Sequence, residues 1–180
     1  MSEQAPEILL AAHLKSLKLP TVLREHQKLA RLCALEGVDH VRYLARLVEM
    51  ELIDRERRMV ERRIKAARFP AYKDMAGFDF ASSEVNEALV RQLHRGDFMD
   101  GAHNVVLIGG PGTGKTHIAT AIGVQAVEHL RKKVRFFSTV ELVNALEQEK
   151  GLGRSGQIAE RLVRSDLVIL DELGYLPFSA

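Results

Sequence analysis

The residues best suited to chemistry form one glycine-rich segment in the second half of the chain. It matches the pattern G-x-x-x-x-G-K-[ST] with Gly109, Gly110, Pro111, Gly112, Thr113, Gly114, Lys115 and Thr116. Glycines let such a loop curl so that successive N–H groups point at phosphate oxygens, and the N-terminus of the following helix adds partial positive charge. Lys115 supplies a charge for the β and γ phosphates, and the Thr116 hydroxyl suits Mg²⁺. The segment therefore predicts a binding site for ATP and Mg²⁺.

An acidic pair, Asp171 and Glu172, directly follows a continuous apolar run at residues 167–170. Such a run is typical of a strand buried on both faces. Asp171 can then hold Mg²⁺ directly or through water, and Glu172 can polarise the water that attacks the γ-phosphate. A helix cap or a solvated turn is the ordinary alternative for an acidic pair at a strand end. The upstream glycine-rich loop favours the metal-side role, so we expect Lys115 and Glu172 to be catalytic and Thr116 and Asp171 to bind the metal.

These residues need a layered fold to position them. Strands are predicted at residues 105–108, 134–137 and 167–170, and a helix is predicted at residues 116–130. The alternation predicts an α/β fold, a parallel sheet with helices on both faces of the kind found in P-loop nucleotide hydrolases. Ser82 or Ser83 is predicted to cap a preceding helix that stops at Gly96.

The first third of the chain is predicted to be a small all-helical domain. Apolar residues recur at helical spacing, Pro20 suits the first turn of a second helix, Gly37 ends it, and Asp39 can cap a third. Residues 54–68 are predominantly charged, which indicates a solvated helix or, alternatively, one that faces DNA or a partner. We therefore expect a helical domain at residues 1–68, a linker at 69–81, and a nucleotide-binding domain at 82–180.

Composition excludes several classes of protein. With 46% hydrophobic and 28% charged residues, the chain can bury a core and is not of the disordered class. The net charge is only +2, so affinity for nucleic acid must come from local clusters of charge. The first residues lack a basic secretory region, and no apolar stretch approaches the roughly 18 residues of a membrane span. One cysteine, Cys33, suits a reducing compartment, so we expect a cytoplasmic protein without a membrane partner.

The run DELGYLPF at residues 171–178, together with the glycine-rich loop, resembles the IstB-type transposition helper ATPases. These belong to the AAA+ class and are related to the DnaC helicase loaders. The resemblance extends to the segment Leu17-Lys18-Leu19-Pro20 and to the charged helix before Phe78, so it spans nearly the whole chain. It implies an ATP-dependent oligomer that binds target DNA, deforms it, recruits the cognate transposase and, in the intact family member, hydrolyses ATP.

The resemblance also implies roles for residues outside the two motifs. By analogy with that clade, the two helices between Glu141 and Arg164 would line the DNA path. Lys150 and Arg154 would then contact phosphates largely without regard to sequence, although a solvated basic turn is the alternative. Phe78 and Phe80 would border the adenine, or else pack on the core.

Three functions remain open from the sequence: the transposition helper, a DnaC-like loader that grips a replicative helicase, and a nucleotide-binding remnant without turnover. The DELGYLPF run favours the first. In the AAA+ arrangement, the strand after residues 167–170 lies between that strand and residues 105–108. The chain ends at Ala180 without such a strand, and without a later arginine to serve a neighbour's γ-phosphate. We therefore expect a truncated member that lacks the C-terminal part of the core, with weak or absent ATPase activity and poor solubility.

Overall fold

The structure is a computed structural model that describes residues 4–153 and 156–173. These residues form two compact units, Met1–Met59 and Val60–Ala180. Within the described part of the chain the elements are, in order, α1 (Gln4–Ser16), α2 (Pro20–Leu35), α3 (His40–Ala67), α4 (Glu87–Arg95), α5 (Asp97–Asp100), α6 (Lys115–Glu128), β1 (Val134–Ser138), α7 (Thr139–Gly151), α8 (Gln157–Val163) and β2 (Leu167–Asp171).

The first unit contains α1, α2 and most of α3, as the helical pattern predicted. Pro20 occupies the first turn of α2, and Gly37 follows the end of that helix with a φ of 65°. The Asp39 side chain accepts a hydrogen bond from the Arg42 N–H at 2.9 Å, which satisfies one free donor at the start of α3. Cys33 is a buried free thiol, so it serves here as a small core side chain.

A buried carboxylate holds α2 against α3. Glu51 is 3% exposed and accepts hydrogen bonds from the Thr21 N–H at 2.8 Å and the Val22 N–H at 3.3 Å. Arg58 donates to the same carboxylate at 3.1 Å. Leu19, the residue before α2, makes no side-chain cap, so Glu51 from another helix supplies the acceptor that the free N–H groups need. Burial alone would raise the pKa of Glu51, but these hydrogen bonds and the Arg58 charge together lower it.

Acid is therefore expected to loosen the start of α2. Because the pKa of Glu51 is lowered by folding, its contribution to stability is full above its ordinary pKa, about 4.3, and is lost as the pH falls through the folded value. Glu51→Gln, which keeps one acceptor but removes the charge, should cost about 2 kcal/mol at neutral pH and flatten this acid dependence. Hydrogen exchange of the α2 amides in the full chain measures both effects. Protection that falls equally with acid in both proteins would contradict the assignment to Glu51.

The second unit is organised around α6. Eight of its 14 residues are buried, and five of these belong to two apolar clusters. In one cluster Ala126 and Val127 pack with Ala67 and with Val134, Phe136 and Ile169 of the strands. In the other, Ile118, Ala121 and Ile122 pack with Met75 and with Val90 of α4. The helix that follows the glycine-rich loop is therefore the most deeply packed element of this unit.

The described sheet consists of β1 and β2, which pair in parallel. Val134 lies opposite Leu167, Phe136 opposite Ile169, and Ser138 opposite Asp171. Both strands occur where the sequence predicted them, and two helices connect them. The α/β class with a parallel sheet is therefore confirmed. Because the strands run in the same direction, their carboxyl ends bring Ser138 and Asp171 to one edge.

Two local predictions are wrong. Residues 105–108 form no strand, and Val106 and Ile108 are 73% and 92% exposed. A strand needs a neighbour for its backbone groups, and no described residue pairs with this segment.

The helix after the predicted linker begins at Glu87, capped by Asn86, whose side chain accepts from the Leu89 N–H at 3.0 Å. Ser82 and Ser83 lie in the preceding turns. Gly96, with a φ of 88°, does end that helix as predicted.

The compact units divide the chain earlier than the predicted domain limits of 68 and 82. Val60 and Ile64 of α3 and Phe69 pack against the cluster around Ala67 and Phe136. Met75, within the predicted linker, is 8% exposed. Residues 69–81 therefore contribute side chains to the second unit. None of the helices in the described ranges combines the length and apolar character needed to cross a membrane.

Thr120 of α6 provides a test of the core. It is fully buried, and among the described side chains its hydroxyl is the one buried polar group without a hydrogen-bond partner. Burying an unpaired hydroxyl costs about 1 to 3 kcal/mol, so Thr120→Val is expected to stabilise the protein by about 1 kcal/mol. Thr120→Ser keeps the hydroxyl and removes a methyl group, so it should destabilise. Urea denaturation of both variants measures the difference, and a destabilised valine variant would show that the hydroxyl is paired in solution.

Candidate functional site

The glycine-rich loop lies directly before α6, at the surface of the second unit. Residues 109–113 are exposed, and Gly114 and Lys115 are partly buried. Gly112 and Gly114 have φ values of 75° and 86°, which other residues rarely adopt. The Thr113 hydroxyl donates to the Gly110 carbonyl oxygen at 2.9 Å and folds the loop back on itself. The loop is therefore both curled and accessible, as binding of phosphate requires.

Lys115 directs its ammonium group into this loop. It donates hydrogen bonds to the carbonyl oxygens of Gly109 at 2.8 Å and Gly110 at 2.6 Å. The positive charge therefore lies beside the first two glycines rather than in open solvent. An anion bound along the loop would meet this ammonium and the N-terminus of α6, two sources of positive potential that act in the same place.

Thr116 meets the acidic pair. Its hydroxyl donates to Asp171 Oδ2 at 2.8 Å, a contact between residues 55 positions apart. α6 places Thr116 in its first turn, and β2 places Asp171 at its carboxyl end. The structure thus brings together the two residues that the sequence assigned to the metal.

This pair of oxygens fits Mg²⁺. Hard oxygen donors are the ligands that Mg²⁺ prefers, and it is usually held by one or two protein groups together with substrate phosphates and waters. Over residues 4–153 and 156–173, no group of three or more His, Cys, Asp or Glu side chains is arranged to hold a metal.

Glu172 follows Asp171 in an unusual backbone conformation. Its φ is 60°, a region that costs a residue with a side chain about 1 kcal/mol or more. The Ser138 hydroxyl donates to Glu172 Oε2 at 3.4 Å, and the Thr139 hydroxyl donates to the Asp171 carbonyl oxygen at 2.7 Å. Glu172 is exposed, so its carboxylate can reach a water molecule.

The sequence prediction missed Ser138 and Thr139, which both contact the acidic pair. The signal was present, since both residues follow a predicted strand that had to lie parallel to the strand before Asp171. Parallel neighbours end at the same edge of a sheet, and that edge is where ligands bind in such folds. Hydroxyl residues at the end of β1 could therefore have been placed beside Asp171.

A cleft of about 1150 Å³ opens beside the loop, between α4 and residues 104–108. Phe78 and Asp79 line it together with the loop glycines and apolar residues of α4. Its volume exceeds the roughly 300 to 1,000 Å³ of typical small-molecule pockets, so a nucleotide would leave part of it unfilled. Phe78 and Phe80 are half-buried and pack with the cluster around Met75, which is the packing alternative that the sequence offered.

The predicted DNA contacts lie at the other end of α7. Lys150 is exposed in the last turn of that helix, and Arg154 lies outside the described residues. The N-cap residue of α8 is Gly156, which has no side chain to accept a hydrogen bond from the first N–H groups of that helix. Glu149 fills that role: it is 9% exposed and accepts from the Gln157 N–H and, at 3.1 Å, from the Ile158 N–H. The carboxylate that precedes Lys150 in sequence is therefore turned inward.

Comparison with known proteins gives a consistent result. Residues 12–180 match the family described as IstB-like ATP binding protein. A protein of Geobacillus stearothermophilus, named for ATP binding in insertion sequence IS5376, is 31% identical over 89% of this chain and 64% of its own length. A counterpart from insertion sequence IS21 of Pseudomonas aeruginosa is 32% identical over 92% of this chain and 63% of its own length.

A third relative, an insertion-sequence protein of Sinorhizobium fredii also named for ATP binding, is 33% identical over 94% of this chain and 57% of its own length. The chain thus spans about three fifths of the length of these curated relatives.

Proposed function

Because the chain belongs to the IstB-like ATP-binding protein family, we propose that it binds Mg-ATP and acts with DNA and a transposase in the movement of an insertion sequence. The observation that carries this proposal is the 2.8 Å hydrogen bond between Thr116 and Asp171. It joins the end of the phosphate loop to the acidic strand end, and a loop formed for structural reasons alone would not need that partner. The names of the relatives supply the insertion-sequence context.

In this proposal the glycine-rich loop holds the triphosphate, and Lys115 pairs with its β and γ oxygens. Thr116 and Asp171 would hold Mg²⁺, which neutralises charge that develops on the phosphates. Glu172 would accept a proton from the attacking water, since it is exposed beside Asp171 and is held by Ser138. Hydrolysis is the part of the proposal that the described residues support least. Nucleotide hydrolases commonly use a further arginine to stabilise charge in the transition state, and the described site contains no such arginine.

The DNA side of the proposal rests on the C-terminal end of α7. Lys150 is exposed there, and Glu149 is buried against the start of α8, so it does not oppose a phosphate. Lys150 is therefore the charged side chain at the last turn of α7 that can meet an approaching backbone, while Glu147 lies one turn earlier. Contacts to phosphate carry no sequence information, so this surface would bind duplexes of any sequence.

DNA binding is expected to be sequence-independent, stronger with ATP, and weaker in salt. The logarithm of the affinity should fall with the logarithm of the salt concentration by about 0.9 for each phosphate contact. Substituting Lys150 and Arg154 together by alanine should lower that slope by up to about two units. Fluorescence anisotropy with a labelled duplex between about 50 and 200 mM salt measures the slope.

A matched control is the double alanine variant of Lys28 and Arg31, two exposed cations of α2. Its slope should equal that of the unsubstituted chain. If the Lys150 and Arg154 variant also keeps the original slope, the assignment to these two residues is wrong, and the charged helix at residues 54–68 becomes the DNA surface to test.

A further inference from the structure

Residues 74–80 make three separate contacts with the first turns of α6. Met75 is buried against Ile118 and Ile122 in one apolar cluster. The His117 Nε2–H donates to the Asp74 carbonyl oxygen at 2.8 Å. The Phe78 ring lies against Gly114, the last glycine of the loop and the N-cap of α6. All three contacts converge where the phosphate loop becomes a helix.

The contact between Phe78 and Gly114 leaves no room for a side chain at position 114. A Cβ atom built on Gly114 would lie 2.5 Å from Cε2 and 3.1 Å from Cζ of the ring. Gly114 is thus required for two independent reasons, its φ of 86° and the ring that covers it. A glycine in open solvent would sample many conformations, and the ring removes much of that freedom on one side.

The Phe78 ring is itself held in place. His117 packs against it edge-to-face with ring centroids 5.3 Å apart, and Phe80 does so at 4.8 Å. The Asp74 carboxylate accepts from the Gly77 N–H at 2.8 Å and closes the turn that presents the ring. His117 therefore serves twice, as a hydrogen-bond donor to the segment and as one wall of the ring's site.

We propose that Phe78 and His117 are positioning residues that hold the end of the phosphate loop in its binding conformation before the nucleotide arrives. This inference rests on the proposed ATP site. It differs from a role in contacting the base, because a base contact acts on adenine alone, whereas a preorganised loop favours any ligand that carries the polyphosphate.

Inorganic tripolyphosphate with Mg²⁺ separates the two roles, since it has phosphates but no base. Competition of Mg-tripolyphosphate and of unlabelled Mg-ATP against labelled ATP gives both affinities for each variant of the full chain. Phe78→Ala is expected to weaken both ligands by a similar factor, about tenfold, the scale for ordering one residue's backbone on binding. His117→Ala should weaken both in the same way, and His117→Gln, which can still donate to the Asp74 carbonyl, should recover most of the loss.

Phe98→Ala is the matched control, because it truncates an aromatic ring packed against the same cluster that neither covers Gly114 nor supports the Phe78 ring. It should leave the affinity for tripolyphosphate within about twofold. Phe78→Leu retains an apolar cover and should fall between the parent and the alanine variant, which keeps the test informative if Phe78→Ala fails to fold.

Three outcomes would overturn the inference. A loss confined to ATP in the Phe78 variants would identify a base contact instead. An equal loss of tripolyphosphate affinity in Phe98→Ala would identify a general effect on packing. If the unsubstituted chain binds neither ligand, the proposed ATP site fails and this inference fails with it.

Discussion

Replacement of Lys115 by alanine is expected to reduce the affinity for Mg-ATP by roughly 10²-fold or more. The ammonium group makes two short hydrogen bonds to loop carbonyls, and in the complex it would exchange these for phosphate oxygens. Each charge-assisted bond contributes about 1.5 to 3 kcal/mol, so loss of two accounts for at least that factor. Isothermal titration of the full chain with ATP and Mg²⁺ measures the change.

Lys132→Ala is the matched control for this variant. Lys132 is a lysine of the same unit whose ammonium lies 3.3 Å from Asp100, away from the loop. Its removal should leave ATP affinity unchanged. If the Lys115 variant binds ATP as tightly as the parent, the glycine-rich loop is not the phosphate-binding site, and the proposed ATP site is wrong.

Glu172→Gln is expected to separate binding from turnover. The amide keeps the volume and can still accept a hydrogen bond from Ser138, but it cannot take a proton from water. ATP binding should therefore persist while hydrolysis falls by roughly 10²-fold or more. Single-turnover measurement with protein in excess over labelled ATP, in the presence of duplex DNA, resolves even a slow parent rate.

Two companions sharpen this experiment. Glu160→Gln changes an exposed carboxylate of α8 that pairs with Arg164, and it should leave hydrolysis unaltered. Asp171→Asn should weaken the Mg²⁺-dependent part of ATP binding, because Asp171 accepts from Thr116 at the metal position. Loss of ATP binding in Glu172→Gln would show that the division of roles between the two acids is wrong.

Much of the fold was predictable because local signals and tertiary packing agree. Pro20, Gly37 and Asp39 mark helix ends that the structure retains, and the apolar run before Asp171 is a strand. Agreement failed at residues 105–108, where the apolar pattern favours a strand but pairing depends on a neighbour that is distant in sequence. The sequence also did not identify Asn86 as the cap of α4. Ser82, Ser83 and Asn86 are all suitable cap residues within five positions, and residue type alone cannot rank them.

The site was predictable to the extent that motifs carry it. The loop and the acidic pair each have a sequence pattern, and the structure joins them through the hydrogen bond of Thr116 with Asp171, although residues 105–108 before the loop form no strand. The contact of Phe78 with Gly114 has no comparable signal, because an aromatic residue 36 positions before a glycine has no fixed spacing that implies contact. Such contacts arise from packing of the whole unit, and a sequence pattern does not encode them.

The deep packing of α6 also determines which parts of the site can move. Displacing α6 would open both apolar clusters at once, since its buried residues take part in each. Residues 104–108, by contrast, expose Val106 and Ile108 and pair with no described strand, so displacing them disturbs mainly the contact of Leu107 with one cluster. Segments with few buried apolar contacts open at a lower free-energy cost than segments in the core. We therefore expect residues 104–108, which precede the phosphate loop, to rearrange when nucleotide binds. The helix α6, which follows the loop, should keep its position.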